Sequence, residues 1–316
     1  MSQYHTQASP TFCSAPTERK GRQGFSLIEL VITITIVSAI SVMAMGFLYY
    51  PVQSYSDIAR RAQLVYTAEQ ALRRMERDIR NSIPNSLRVK SVGGIQAIEM
   101  INVVEGFRYR RRSPGGNAAV ISFNQADVSF NIFNTFPAAM LGNNGYRAIV
   151  YNIGAEGAGS DAPISGANVY ASGLSAGPFP PVNTHVISPA ATTMTLSNVG
   201  NEGQVVFAPG FQFGMESPQQ RIFFTDTPIS YVCNSSTGSI IRYQDYTIQQ
   251  TQPYDSTVAP LNTTSSALLA NQVSACNFTY QPGTSRRSGT IGIQLTMMGG
   301  NEQIRLMQQI AVSNAP

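Results

Sequence analysis

A single carboxylate, Glu29, lies five residues into a stretch of 26 positions, 25–50, that carries no other charge. In hydrocarbon an ionised glutamate costs about 2.5 to 3.5 kcal/mol on insertion scales, so it needs a partner. Other residues able to do chemistry are few. Cys13, Cys233 and Cys276 are the only thiols. The pentapeptide Gly173-Leu174-Ser175-Ala176-Gly177 has the Gly-x-Ser-x-Gly spacing of a hydrolase nucleophile elbow. Arg108, Arg110, Arg111 and Arg112 interleave with Phe107 and Tyr109, combining charge with rings as single-strand nucleic-acid sites do.

Context removes most of these. A nucleophile elbow needs a strand before it and a helix after it, whereas Pro178, Pro180 and Pro181 follow at once. His185 is the only histidine beyond residue 5, and no acid lies between it and Ser175. There is no Walker loop, dinucleotide-binding glycine pattern or Cys-x-x-Cys, so no cofactor or metal is expected and the chain is read as non-enzymatic. The arginine run precedes Pro114-Gly115-Gly116 and has no second basic patch in sequence, so it reads as a charged turn. The net charge of +4 arises early: from Asn81 onward there are 12 basic and 11 acidic residues. The large C-terminal part has no net field for phosphate, and nucleic acid is not an expected partner.

The elements that must position these residues follow from periodicity. Residues 25–50 as a helix would be roughly 39 Å long, enough to span a bilayer with some tilt. Arg19, Lys20 and Arg22 precede it, which keeps that end in the cytoplasm and sends the C-terminal bulk across. The run is about twice the length of a signal-peptide core and no small-x-small site closes it. After Pro51 the spacing of Ile58, Ala62, Val65, Ala68, Leu72, Met75, Ile79 and Ile83 predicts one face of an amphipathic helix over 51–84, ended by Pro84. Asp57 to Arg61, Glu69 to Arg73 and Glu76 to Arg80 offer i,i+4 pairs on its other face.

Beyond residue 85 the period becomes two. Val128, Phe130 and Ile132 alternate with polar residues, and residues 229–233 with 239–243, and 290–297 with 303–312, read as hairpins. The fold class is therefore α+β: a long N-terminal helix, half transmembrane and half amphipathic, on an antiparallel β-rich domain of two lobes over 85–316. Residues 154–181, with six Gly and four Pro, read as a long surface loop or as the joint between the lobes. Cys233 and Cys276 fall in a domain predicted to face an oxidising compartment. There an even pair is a disulfide or two buried thiols.

The run Gly24-Phe25-Ser26-Leu27-Ile28-Glu29-Leu30, after a basic leader and before an apolar helix, resembles the class III signal of type IV pilins and type II secretion pseudopilins. The resemblance implies that residues 1–24 are a leader, that a prepilin peptidase cuts after Gly24 and methylates Phe25, and that Cys13 is removed with the leader. It also implies that Glu29 pairs with the N-terminal amine of a neighbouring subunit and sets axial register. Arg60-Arg61-Ala62, Ala71-Leu72-Arg73-Arg74, Arg80-Asn81-Ser82-Ile83-Pro84-Asn85-Ser86, residues 221–233, Val273-Ser274-Ala275-Cys276 and Tyr280-Gln281-Pro282-Gly283-Thr284 resemble the MshO-like minor pilins of the mannose-sensitive haemagglutinin (MSHA) pilus system. Residues 91–206 show little of this resemblance. It implies a subunit held in the bacterial inner membrane by one span, with its domain in the periplasm. With major and other minor pilins and the inner-membrane assembly platform, it primes or caps a surface pilus. A minor pseudopilin is one alternative, although the pseudopilin that caps its fibre lacks such a Glu. A tip adhesin binding carbohydrate through residues such as Tyr170, Phe179 and Tyr254 is another.

Overall fold

Apolar residues recurring every three and four positions make the helix the spacing demands, but the buried stripe is displaced along it. In a computed structural model of the chain, α1 (Leu27–Arg80) is one helix with Pro51 inside it. The structure describes residues 24–112, 119–142, 145–154, 167–171, 185–190, 192–283 and 287–313. Two compact units divide the chain, Met1–Ser56 and Asp57–Pro316.

In the first unit the apolar side chains of α1 are exposed, Leu27 at 81% and Phe47 at 80% among them. The hydroxyls of Thr33, Thr35 and Ser38 donate to the carbonyls of Leu30, Ile32 and Ile34. These three hydroxyls are thus satisfied within the helix, as lipid requires.

In the second unit α1 buries Leu64, Ala68, Ala71, Leu72, Met75 and Ile79. Ile58, expected on this face, is 66% exposed, and Ala62 is exposed too. The cause is the reach of the sheet beneath: the turn at Gly299 and Gly300 comes up against Leu64 and Arg60, and Ile58 lies before it. Ile83 is buried but not helical. Ser82 closes the last turn onto the Ile79 carbonyl, and Pro84 disfavours a helical Ile83, which bonds to Ile101 instead. Glu69–Arg73 and Glu76–Arg80 pair as spaced, at 3.5 and 2.6 Å, whereas Asp57 takes Arg60 rather than Arg61.

Among the described residues fourteen strands follow: β1 (Arg88–Val92), β2 (Ile95–Ile101), β3 (Glu105–Arg108), β4 (Asp127–Phe133), β5 (Arg147–Ile149), β6 (Thr193–Val199), β7 (Glu202–Phe211), β8 (Arg221–Thr225), β9 (Pro228–Asn234), β10 (Ser239–Gln244), β11 (Ser265–Ala270), β12 (Val273–Gln281), β13 (Gly289–Gly299) and β14 (Glu302–Val312). The named strand pairs are all antiparallel. One lobe joins the sheets β1-β2-β9-β10-β11 and β12-β13-β14 around the buried face of α1. Asp78 ties the helix to this lobe by accepting from the Tyr231 hydroxyl at 2.6 Å and Arg242 Nε at 2.7 Å. The other lobe packs β3-β8-β5 on β4-β7-β6 over a phenylalanine-rich core.

The second lobe is an insertion between β2 and β9, which pair with each other in the first. The chain crosses between lobes at 102–104 and 226–227. Strands on both sides of 154–181, β5 and β6, belong to the second lobe, and within the segment Tyr170 reaches the first lobe through the Ser86 carbonyl and Arg88. Of it, residues 155–166 and 172–181 lie outside the described residues. Both expected hairpins form, β9–β10 and β13–β14, the latter through Gly300 at φ +61°. Val128 is 65% exposed, against its expected inward place, because the β4–β7 register shifts between Asp127 and Ser129.

Two features lock the first lobe. Cys233 on β9 and Cys276 on β12 form a disulfide with Cα atoms 6.6 Å apart, joining the two sheets around α1. Its 43-residue separation corresponds to about 4 kcal/mol on the chain-entropy model. Cys233→Ser is expected to cost about 2–4 kcal/mol and lower the yield of folded protein. Thermal unfolding reads the cost, and unchanged non-reducing gel mobility would contradict the bond.

The second lock is the fully buried β1–β2 pair Arg88 and Glu99, in direct contact across the strands. Arg88 also donates to the Gln250 and Gln249 carbonyls at 2.7 and 2.9 Å and lies 3.6 Å from the Tyr170 ring centroid. The Tyr246 hydroxyl donates to Glu99 at 2.8 Å, and that of Tyr170 to the Ser86 carbonyl at 2.7 Å. Burial pushes the Glu99 carboxyl up, opposed by Arg88 and Tyr246.

Candidate functional site

Nothing in the chain's own packing explains the residues around the start of α1. The first helical bond runs from the Leu30 N–H to the Ser26 carbonyl at 3.1 Å, so Ser26 closes the turn and Leu27 begins the helix. A Cβ on Gly24 would meet nothing within 4 Å, and Phe25 is 78% exposed. Glu29 is in the first turn, where the helix dipole favours an acid. It has no hydrogen bond or ion pair among the described residues. An unconstrained glycine, an exposed phenylalanine and an unpaired acid on an apolar helix suit recognition by other molecules, not folding.

The family model described as the prokaryotic N-terminal methylation motif matches residues 19–45, a window that contains Gly24, Phe25 and Glu29. The chain carries a prepilin-type class III signal. That signal indicates a protein of the pilin or pseudopilin type and suggests a structural subunit. The signal implies processing by a prepilin peptidase and assembly with other pilins, and the exposed apolar helix fits membrane anchoring. No curated protein and no solved structure matches the chain.

The remaining sequence candidates separate in space or change character. Ser175 and its pentapeptide lie outside the described residues, as does Phe179. His185 faces a cation rather than a catalytic acid: burial and the neighbouring Arg147 both push its imidazole below the usual range, and its Nδ1 is buried with no hydrogen-bond partner. Protonation is therefore easier in the unfolded chain. The stability this contributes is present above about pH 6.5 and lost as pH falls from there toward the lower folded value. His185→Gln is expected to flatten that acid-side loss in unfolding curves at pH 7.5 and 5. Among the described residues no group of three or more His, Cys, Asp or Glu is placed to hold a metal.

Tyr170, named as a possible carbohydrate contact, is 2% exposed and locked under Arg88, so it cannot meet a ligand. Tyr254 is partly buried with Lys90 Nζ 4.6 Å from its ring centroid. The arginine cluster also differs from its sequence reading. Tyr109 is fully buried and Phe107 packs on the second core, because Phe107 on β3 and Tyr109, bridged to Ile132 just after it, both turn inward. The rings that do accompany the arginines, Phe133 and Phe223, come from β4 and β8. Their sequence distance from residue 108 hides them, and only strand register brings them there.

Proposed function

We propose that the chain is a minor pilin, MshO-like, that waits in the inner membrane with its β domain in the periplasm and primes or caps an MSHA-type pilus. Cleavage after Gly24 and methylation of Phe25 leave a mature chain of 292 residues whose fifth is Glu29. That carboxylate meets the amine of a neighbouring subunit as the helices stack, each charge neutralising the other. The observation that carries this reading is Glu29, without a hydrogen bond or ion pair among the described residues, inside an apolar helix that the methylation motif covers over residues 19–45. Supporting it, the segments that resemble MshO-like minor pilins fall on α1, β8, β9 and β12. These include both cysteines and, in the first lobe, the helix and the two strands that the disulfide joins. Residues 91–206, which show little resemblance, form much of the inserted second lobe.

Deleting the gene is expected to reduce surface pili severalfold while major pilin accumulates in the membrane, with full restoration by the intact gene. Loss of type II secretion with normal pili would establish the pseudopilin alternative instead. Gly24→Val is expected to leave the leader attached without disturbing the fold, because the position is open on all sides. An immunoblot resolving precursor from mature chain reads that outcome.

A further inference from the structure

Beyond the assembly role, the geometry points to a binding pocket for acidic sugar residues on the outer face of the second lobe. Arg108 at the end of β3 stands directly opposite Arg221 at the start of β8. Like charges facing each other across a strand pair disfavour the pairing, so a pair of guanidinium groups here is not chosen for the strands' own sake. Arg108 is exposed and has no ion-pair or hydrogen-bond partner among the described residues. Beside the pair, Gly106 faces Phe223, and a Cβ there would come within 3.1 and 3.2 Å of its ring. The glycine lets the ring lie close to the β3 backbone as a floor. Phe133, 39% exposed, and Asn134 form the wall of a hollow of about 510 Å³.

A second hollow of about 380 Å³ shares Phe133 and is edged by Arg110, Arg111 and Arg112. Arg110 sits 4.8 Å from the Phe133 ring centroid and pairs with Glu202, and Arg111 pairs with Glu216 at 2.7 Å. The two hollows thus combine guanidinium groups, which fork onto a carboxylate or sulfate, with apolar ring surface for the C–H face of a sugar. Single-stranded nucleic acid fits less well. It needs successive open rings, whereas Arg110 lies over Phe133 and Glu202 and Glu216 interrupt the positive charge. The shared chemistry is an anionic group on a pyranose, as a uronate carboxylate or a sulfate ester.

The test uses the full-length chain in detergent and measures binding to immobilised oligogalacturonate, a heparin-derived oligosaccharide, neutral dextran of equal length and oligo-dT. Saturable binding to at least one acidic oligosaccharide and none to dextran is expected, the preferred one identifying carboxylate or sulfate. Arg108→Gln is expected to weaken it at least about tenfold and Phe133→Ala several-fold, each with an unchanged circular dichroism spectrum. Arg73→Gln, an equal charge loss on the exposed face of α1, is expected to leave it unchanged. Absence of saturable binding to both acidic sugars, an equal loss with Arg73→Gln, or tighter binding to oligo-dT with the same residue dependence would each overturn the inference.

Discussion

Glu29→Ala is expected to insert into the membrane as well as the native chain and to disappear from assembled fibres. Insertion does not suffer, because alanine removes a charge whose cost reaches about 2.5 to 3.5 kcal/mol at the centre of a span and is smaller, but still unfavourable, near its end. Assembly does suffer. In the proposed fibre the carboxylate neutralises a neighbour's N-terminal amine, and removing one partner of a buried pair leaves an uncompensated charge worth about 3–5 kcal/mol. A deficit of 3 kcal/mol corresponds to roughly a hundredfold lower incorporation. Glu29→Asp keeps the charge but shortens its reach, so partial recovery is expected. Immunoblots of membranes and of sheared fibres from the same cells separate the two steps. Normal incorporation of the alanine variant would remove the register role from Glu29.

The largest stability effect is expected at Glu99. Replacing it with alanine leaves Arg88 buried at 4% exposure without its counter-ion, and strips Tyr246 of an acceptor. Breaking a buried pair in this way costs about 3–5 kcal/mol, a large share of a typical domain's total. The loss should extend beyond β1 and β2, because Arg88 also anchors the carbonyls of Gln249 and Gln250 and stacks on Tyr170. The double change Arg88→Met with Glu99→Leu removes both charges and is expected to recover much of the deficit, as apolar replacements of buried pairs often do. Denaturant unfolding of the detergent-solubilised chain, followed by tyrosine fluorescence, compares the three. A loss below 1 kcal/mol for Glu99→Ala would show that the cluster contributes little.

Local pattern made some elements legible and left others hidden. The helix, its i,i+4 pairs at Glu69 and Glu76, and the β9–β10 and β13–β14 hairpins follow from spacing and turn residues that act within a few positions. What spacing could not supply was depth. Leu64 is buried and Ile58 exposed because a turn 240 residues later ends beneath the helix at Arg60 and Leu64. Val128 alternates correctly and still points out, since a register shift with β7 reverses it. The second lobe is an insertion because β2 pairs with β9, a contact across more than a hundred residues.

The methylation motif over residues 19–45 was readable because it is carried by linear sequence. The pocket on the second lobe was not. Tyr109 lies in the core, Phe107 is half-buried at the edge of the hollow, and the residues that complete the pocket beside Arg108, Arg221 and Phe223, are more than a hundred residues away. Tyr170 misled for a related reason: a tyrosine in a polar loop reads as exposed until Arg88 is seen over its ring.

Intact mass of the membrane-extracted protein, from cells with and without prepilin peptidase, tests the central claim most directly. The expected result is a 292-residue chain beginning at N-methylated Phe25 when the peptidase is present, and the uncut 316-residue precursor when it is absent. A chain that stays uncut in both, or is cut beyond residue 50, would contradict the pilin reading.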